Sequence, residues 1–199
     1  MDFISIIQKI KRFYYIVLTT LPHNYQKKRL IILEDLFKKS NQYLLDNHID
    51  YWLDFGTLLG YYREKKIIPH DMDVDYGCLE PEYEKLKSTQ KKLPPGLTLH
   101  DSSYRHHGLK MYFNYKGFDA DVYFYEEDNG MLTSGVRNSL PNECTPFNKS
   151  LVIPTSNASF LDRSTFVPAE TKNYLVHIYN YLGKKAVKDK KTGYFYKRD

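Results

Sequence analysis

Three aspartates alternate in the segment DMDVD: Asp71, Asp73 and Asp75. In a strand, residues i and i+2 point to the same face, so this spacing sets carboxylates in a row. Like charges in a row repel unless a cation sits among them. Magnesium, or manganese in its place, prefers such oxygen ligands and completes its shell with water or substrate phosphate. Shortly upstream, Gly56-Thr57 reads as a small-residue turn whose backbone N–H groups can meet an anion. A phosphate turn beside a carboxylate ladder points to metal-dependent nucleotide-phosphate chemistry. A second acidic segment, FDADVYFY, adds Asp119 and Asp121.

The elements that must hold these residues can be read from periodicity. Leu30, Leu33, Phe37 and Leu44 recur near helical spacing and predict a helix over 26–47. A short strand over 49–55 then enters the turn at Gly56, and 57–65 continues as a helix. The acidic strand is expected over 71–78, followed by a short helix over 81–92 that opens on Pro81. Pro94-Pro95-Gly96 breaks the chain. Alternation over 109–115 and 118–125, joined around Lys116-Gly117, predicts a β-hairpin. The polar stretch 126–150, broken by Gly130, Gly135, Pro141 and Pro146, reads as a long loop or lid. Short strands over 151–153 and 165–167, a helix over 169–182 and a basic, partly mobile tail from Lys184 complete the chain.

Composition bounds the rest. A chain of 199 residues suits one domain, and 42% apolar content excludes global disorder. A net charge of +5 is mild and leaves no nucleic-acid footprint. Cys78 and Cys144 form no CxxC pair, so a structural zinc site is not expected and a reducing, cytoplasmic setting fits best. The stretch 3–18 is apolar and aromatic, but Lys9, Lys11 and Arg12 interrupt it and it is too short to span a bilayer. It reads as an amphipathic helix packed on the domain or, with peripheral membrane contact, lying on the inner face of a membrane. The expected organisation is a helical segment over 1–48, a catalytic domain over 49–183 and a tail over 184–199, with both N-terminal helices packing outside the sheet unit.

GTLLGYYREKKIIPHDMDVD resembles the signature of the LicD/fukutin family, with Gly56, Thr57, Leu58, Leu59, Gly60, Arg63, Ile68, Pro69, Asp71, Asp73 and Asp75 in register. ADVYFY resembles the family's later strand with its metal-facing acid, here Asp121. FVPAETKNYLVHIYNYLG resembles its closing segment through Val167, Pro168, Tyr174, Leu175 and Tyr179. His70 stands where the family often has a tryptophan. The resemblance implies an α/β (α+β) fold: a nucleotidyltransferase-like small mixed sheet flanked by helices, with an N-terminal helical extension. It also implies transfer of a substituted phosphate, such as phosphocholine or ribitol phosphate, from a CDP-linked donor. The acceptor would be a hydroxyl of a glycan or glycolipid, with CMP released, as in capsule or cell-surface glycan assembly.

On that reading Asp73, Asp75 and Asp121 are catalytic and hold magnesium, and Asp121 is the candidate for the acceptor proton. Asp71 either joins the metal ligands or is solvated surface. Gly56 and Thr57 would meet donor phosphate, Arg63 would clamp it, and His70 would touch donor or acceptor. A salt bridge from Arg63 to Glu64 or Asp54 is the structural alternative. The same ladder also serves transfer of NMP from an NTP to a small acceptor, or a metal-dependent glycosyltransferase. A non-catalytic glycan-binding protein is a further reading.

Overall fold

The two acidic segments fold as neighbouring strands. The computed structural model describes residues 22–90, 93–136 and 140–198. In chain order the elements are α1 (Pro22–Asp46), β1 (Tyr51–Leu53), α2 (Phe55–Glu64), β2 (Asp73–Leu79), α3 (Glu82–Ser88), β3 (Leu97–Asp101), α4 (Ser103–His106), β4 (Lys110–Tyr115), β5 (Phe118–Asp128), β6 (Met131–Ser134), α5 (Pro141–Cys144), β7 (Phe147–Asn148), β8 (Ser156–Phe160), β9 (Arg163–Val167), α6 (Thr171–Tyr179), β10 (Ala186–Lys188) and β11 (Phe195–Lys197). The main sheet runs β1-β2-β5-β4-β3, with β6 paired to the far half of β5 and β7 to β6. Its β2–β5 pair is parallel and its other pairs are antiparallel. The fold is therefore a mixed α/β sheet flanked by helices.

Period-two alternation divides β2 and β5 between two faces. Val74, Tyr76 and Cys78 on β2, and Ala120, Val122 and Phe124 on β5, are buried on the back. Helix α1 lies across that back face, burying Leu33, Leu36, Phe37 and Leu44 completely. Phe37 stacks on Tyr76, Tyr43 meets Phe113 edge to face, and the Ser40 and Tyr76 hydroxyls are 2.9 Å apart. Each apolar side chain withdrawn from water contributes about 1.5–3 kcal/mol, far more than helix propensity supplies. The second N-terminal helix is thus part of the core rather than outside it. The stretch 3–18 and its proposed membrane contact lie outside the described residues.

Several elements differ from the sequence reading. Gly56-Thr57 is not a free-standing turn but the first turn of α2, because Asp54 caps the helix one residue earlier. Asp71 precedes β2, its N–H donating to the Ile68 carbonyl, since the ladder to β5 begins at Asp73. The stretch 126–150 is not one long lid: β5 runs on to Asp128 and turns back as β6, and α5, β7 and a 3-10 turn at Lys149–Leu151 follow. Residues 151–153 form no strand, whereas β9 pairs with β8. The basic tail folds as a β10–β11 hairpin. The β4–β5 hairpin around Lys116-Gly117 forms as read.

Between the sheet and the front helices lies a fully buried acid. The Asp54 carboxylate accepts from the Phe55 N–H at 2.8 Å, the Tyr125 hydroxyl at 2.7 Å and the Tyr174 hydroxyl at 2.8 Å. It ties the start of α2 to β5 and α6. Burial pushes its pKa up from 3.8 to about 6, and these hydrogen bonds hold it from rising further. A raised carboxyl favours the fold below its unfolded pKa, and that contribution is lost as pH climbs through about 6. Above that pH the tyrosine donors serve an ionised group, where a hydrogen bond is worth about 1.5–3 kcal/mol rather than about 0.5–1.5. Tyr174→Phe is expected to cost more stability at pH 7.5 than at pH 5, measured by urea unfolding at both. Equal losses at the two pH values would show that Asp54 does not carry the charge.

Candidate active site

The front face of the sheet gathers the acids. Parallel pairing sets Asp73 opposite Asp119 and Asp75 opposite Asp121, so two D-x-D rows lie side by side. Asp75 is buried, at 7% exposure, while Asp73, Asp119 and Asp121 are half-buried. Burial raises the Asp75 carboxyl well above the usual range, and the charges of Asp73, Asp121, Asp54 and Asp71 push the same way. Such a group asks for a cation or a proton.

Helix α2 comes down on this face at its N-terminus. The Thr57 hydroxyl accepts the Asp75 N–H at 2.9 Å, and the Asp54 N–H donates to the Asp75 carbonyl at 3.0 Å. Thr57 is buried and its hydroxyl sits against the strand, holding Asp75 in place. Gly56 lies directly over the acids: a Cβ there would stand 3.0 Å from Asp71 Oδ2 and 3.5 Å from Asp75 Oδ2. Glycine lets the helix end come so close without crowding the Asp71 carboxylate. The close approach also brings Asp71 beside Asp75 although it is not on the strand.

Asp71 is pushed up to about 6 by burial, which Arg29 and Arg63 partly oppose. Arg63 forms neither of the expected salt bridges. Its Nε donates to the Leu182 carbonyl at 2.8 Å and its Nη2 to the Gly183 carbonyl at 3.0 Å, pinning α2 to the segment after α6. His70 is exposed. It borders a cleft of about 320 Å³ with Gly60, Arg63, Lys66, Ile68 and Lys184. The cleft follows the chain leading into Asp71; Asp73, Asp75 and Asp121 do not line it.

Two charged residues near these acids escaped the sequence reading. Lys110 is buried on β4, with Nζ 2.8 Å from Asp121 Oδ2 and 3.2 Å from the Tyr123 hydroxyl. Glu143 on α5 stands near enough to add to the upward push on the Tyr123 and Tyr179 hydroxyls, which Asp75 also exerts. The hairpin alternation placed Lys110 on a face, but only strand register reveals that it is the face of Asp121.

The residues present fit magnesium in one particular way. Among the described residues, no group of three or more His, Cys, Asp or Glu is placed to hold a metal ion. Magnesium does not require three: it commonly takes one or two carboxylates, with water and phosphate as the remaining ligands. Asp73 and Asp75, on one strand face with the helix end close over Asp75, would meet that need.

Residues 48–170, more than half of the chain, match the profile of the LicD/FKTN/FKRP nucleotidyltransferase domain. The chain belongs to the LicD/FKTN/FKRP family. Both D-x-D rows and the helix over them fall inside the matched residues. An uncharacterized protein of Rickettsia typhi (strain ATCC VR-144 / Wilmington) is 29% identical over 117 residues, covering 59% of this chain and 36% of its own. Ribitol-5-phosphate transferase FKTN of Homo sapiens is 30% identical over 143 residues, covering 70% of this chain and 30% of its own. The chain thus spans about a third of the length of these curated relatives. Among solved structures, the lincomycin-bound lincosamide antibiotic adenylyltransferase LnuA overlays with a TM-score of 0.40 at 17% identity, over 75% of this chain and 83% of that one. No helix among the described residues is long and apolar enough to cross a membrane.

Two glycines of α2 separate site from scaffold in this family member. A Cβ on Gly60 would run into the Lys66 carbonyl oxygen, a backbone atom that cannot step aside. Gly60→Ala should therefore destabilise by about 1–3 kcal/mol despite the better helix propensity of alanine. Gly56→Ala meets only the flexible Asp71 carboxylate. It should keep its melting temperature within a few degrees yet weaken manganese binding at least about tenfold. Differential scanning fluorimetry and a manganese titration of both variants check the contrast. Unchanged manganese affinity in Gly56→Ala would remove the helix end from the site.

Proposed function

We propose that this chain is a transferase that moves a substituted phosphate, such as phosphocholine or ribitol phosphate, from a CDP-linked donor to a hydroxyl of a glycan or glycolipid. Family membership and a relative named for ribitol-5-phosphate transfer support the phosphate-bearing group. The observation that carries the reading is the paired rows Asp73/Asp75 and Asp119/Asp121 beneath the N-terminus of α2. One side of this site favours a cation and the other an anion, which is what a diphosphate with its counter-ion requires.

In this reading Asp73 and Asp75 hold magnesium, which when bound would neutralise the donor diphosphate as the phosphoryl group leaves. The first-turn N–H groups of Gly56 and Thr57, which have no carbonyl within their own helix to meet, bind a phosphate oxygen. Thr57 keeps its hydroxyl on β2 and acts by positioning Asp75. Asp121, its Oδ2 held by Lys110, presents the rest of its carboxylate to the acceptor hydroxyl and takes its proton. The acceptor oxygen bonds to the phosphorus that bears the alcohol. The bond from that phosphorus to the bridging oxygen breaks, and CMP departs with that oxygen. Arg63 steadies the end of α2, and the cleft beside His70, with Lys66 and Lys184 on its rim, receives an anionic part of donor or acceptor.

The first test is thermal stability against CDP-ribitol, CDP-choline, CTP, UTP and UDP-sugars, each with and without magnesium. A ligand that binds the native state raises the melting temperature by mass action. A magnesium-dependent shift with a CDP-alcohol, followed by CMP release with an acceptor, supports the reading. A shift confined to CTP or UTP, with pyrophosphate released, favours nucleotidyl transfer on the same acids. Asp75→Asn should abolish the magnesium-dependent shift and lower turnover at least about 100-fold. Because it removes a repelled buried charge, it should also raise the melting temperature of the metal-free protein at pH 8 by about 2–4 °C. Retained turnover in this variant would sink the site assignment.

A further inference from the structure

We propose that the Lys110 ammonium acts as a built-in cation in the place of a second metal ion, so that the acid face takes a single divalent ion, on Asp73 and Asp75. This rests on the magnesium reading above and goes beyond it to the number of ions.

The β5 row is met from β4, whose register puts Lys110 opposite Tyr123 and Asn114 opposite Asp119. Lys110 and Asn114 are separated by an even number of residues, so both point to the front face. From there Lys110 Nζ reaches Asp121 Oδ2 at 2.8 Å, and Asn114 Nδ2 donates to Asp119 Oδ1 at 2.6 Å. On the other side of β2 the β1 ladder begins only at Tyr76, beyond the acid row, and Asp54, just after β1, donates its N–H to the Asp75 carbonyl. A helix end, rather than a cation, stands over Asp75.

Lys110 is held where it is. Its backbone belongs to the β4–β5 ladder, its N–H donates to the Ser103 hydroxyl oxygen at 3.1 Å, and its ammonium lies 4.4 Å from the centre of the Tyr123 ring. Only 8% of the residue is exposed. A lysine so buried is stable in its charged form only against an anion, and Asp121 is that anion. Two-metal sites place a second ion about 3.5–4 Å from the first, and a carboxylate such as Asp121 would have to turn towards both. Here a tethered charge that cannot dissociate into solvent already occupies Asp121. Electrostatic neutralisation on the β5 side is therefore built into the chain, and the exchangeable ion belongs to β2.

Crystals soaked with manganese and CDP count the ions by anomalous scattering and show where they lie. The wild-type protein should show one manganese peak, at Asp73 and Asp75. Lys110→Met, which keeps the length and removes the charge, should show a second peak at Asp121. Lys110→Arg, which keeps the charge, should return to one. Two peaks in the wild type, or Lys110 displaced from Asp121 by a second manganese, would overturn the proposal, and so would a single peak in a folded Lys110→Met. Should Lys110→Met fail to fold, the wild-type and Lys110→Arg counts decide, two peaks in either overturning it. An absence of manganese from the wild-type acid face would overturn the magnesium reading itself, and this inference with it.

Discussion

One buried carboxylate organises the front of the molecule. Asp54 has no access to water, yet it meets donors from three separate elements: the first N–H of α2, Tyr125 of β5 and Tyr174 of α6. A buried acid without such partners would be costly, and with them it fixes all three elements at once. Where α2 begins is set by this cap. That starting point in turn puts Thr57 on the Asp75 N–H and Gly56 over the acid row. Asp54 never touches the reacting groups in this account, but the site's geometry is built outward from it.

Charge around the acid face is unevenly compensated. Arg29 and Arg63 act on Asp71, and Lys110 holds Asp121. Asp75, the most deeply placed of the row, is surrounded by other carboxylates. Negative charge thus gathers around Asp75, beneath the N-terminus of α2. In the proposed reading a mobile cation would be drawn to that point, and the anion it carries would meet backbone N–H groups on the other side. The arrangement is a gradient maintained by the fold, and the fixed cations sharpen it by neutralising its edges.

Much of the fold was legible along the chain. The alternation of DMDVD and FDADVYFY gave both acidic strands, the Lys116-Gly117 turn gave the hairpin, and the helical spacing of Leu33, Phe37 and Leu44 gave α1. What escaped were relations between distant segments. Nothing local in either strand says that β2 pairs with β5 in parallel; only the family resemblance set Asp121 with Asp73 and Asp75, and the place of Asp119 beside Asp73 was not read. Lys110 looked like one lysine among many because its partner lies on the next strand. Arg63 was read as a phosphate clamp or a salt bridge, since a sequence cannot show that carbonyls from 182–183 will arrive at its guanidinium. Gly56 was read as part of a turn; in the fold it lets a helix end approach two carboxylates. The stretch 126–150 looked like a lid because its turn residues are dense, and β-pairing with the far half of β5 overrode that signal.

The parallel β2–β5 pair also governs how such a chain can change length. The residues between the two strands form α3, β3, α4 and β4 on their way back to the sheet, and a loop there can lengthen at little entropic cost. Inside the pair the tolerance vanishes. Slipping β5 by one position would bring Ala120 and Val122 to the front and turn Asp119 and Asp121 into the apolar layer beneath α1. Insertions and deletions in this molecule would therefore be tolerated in its loops and not in this pair, by the same alternation that arranges its carboxylates.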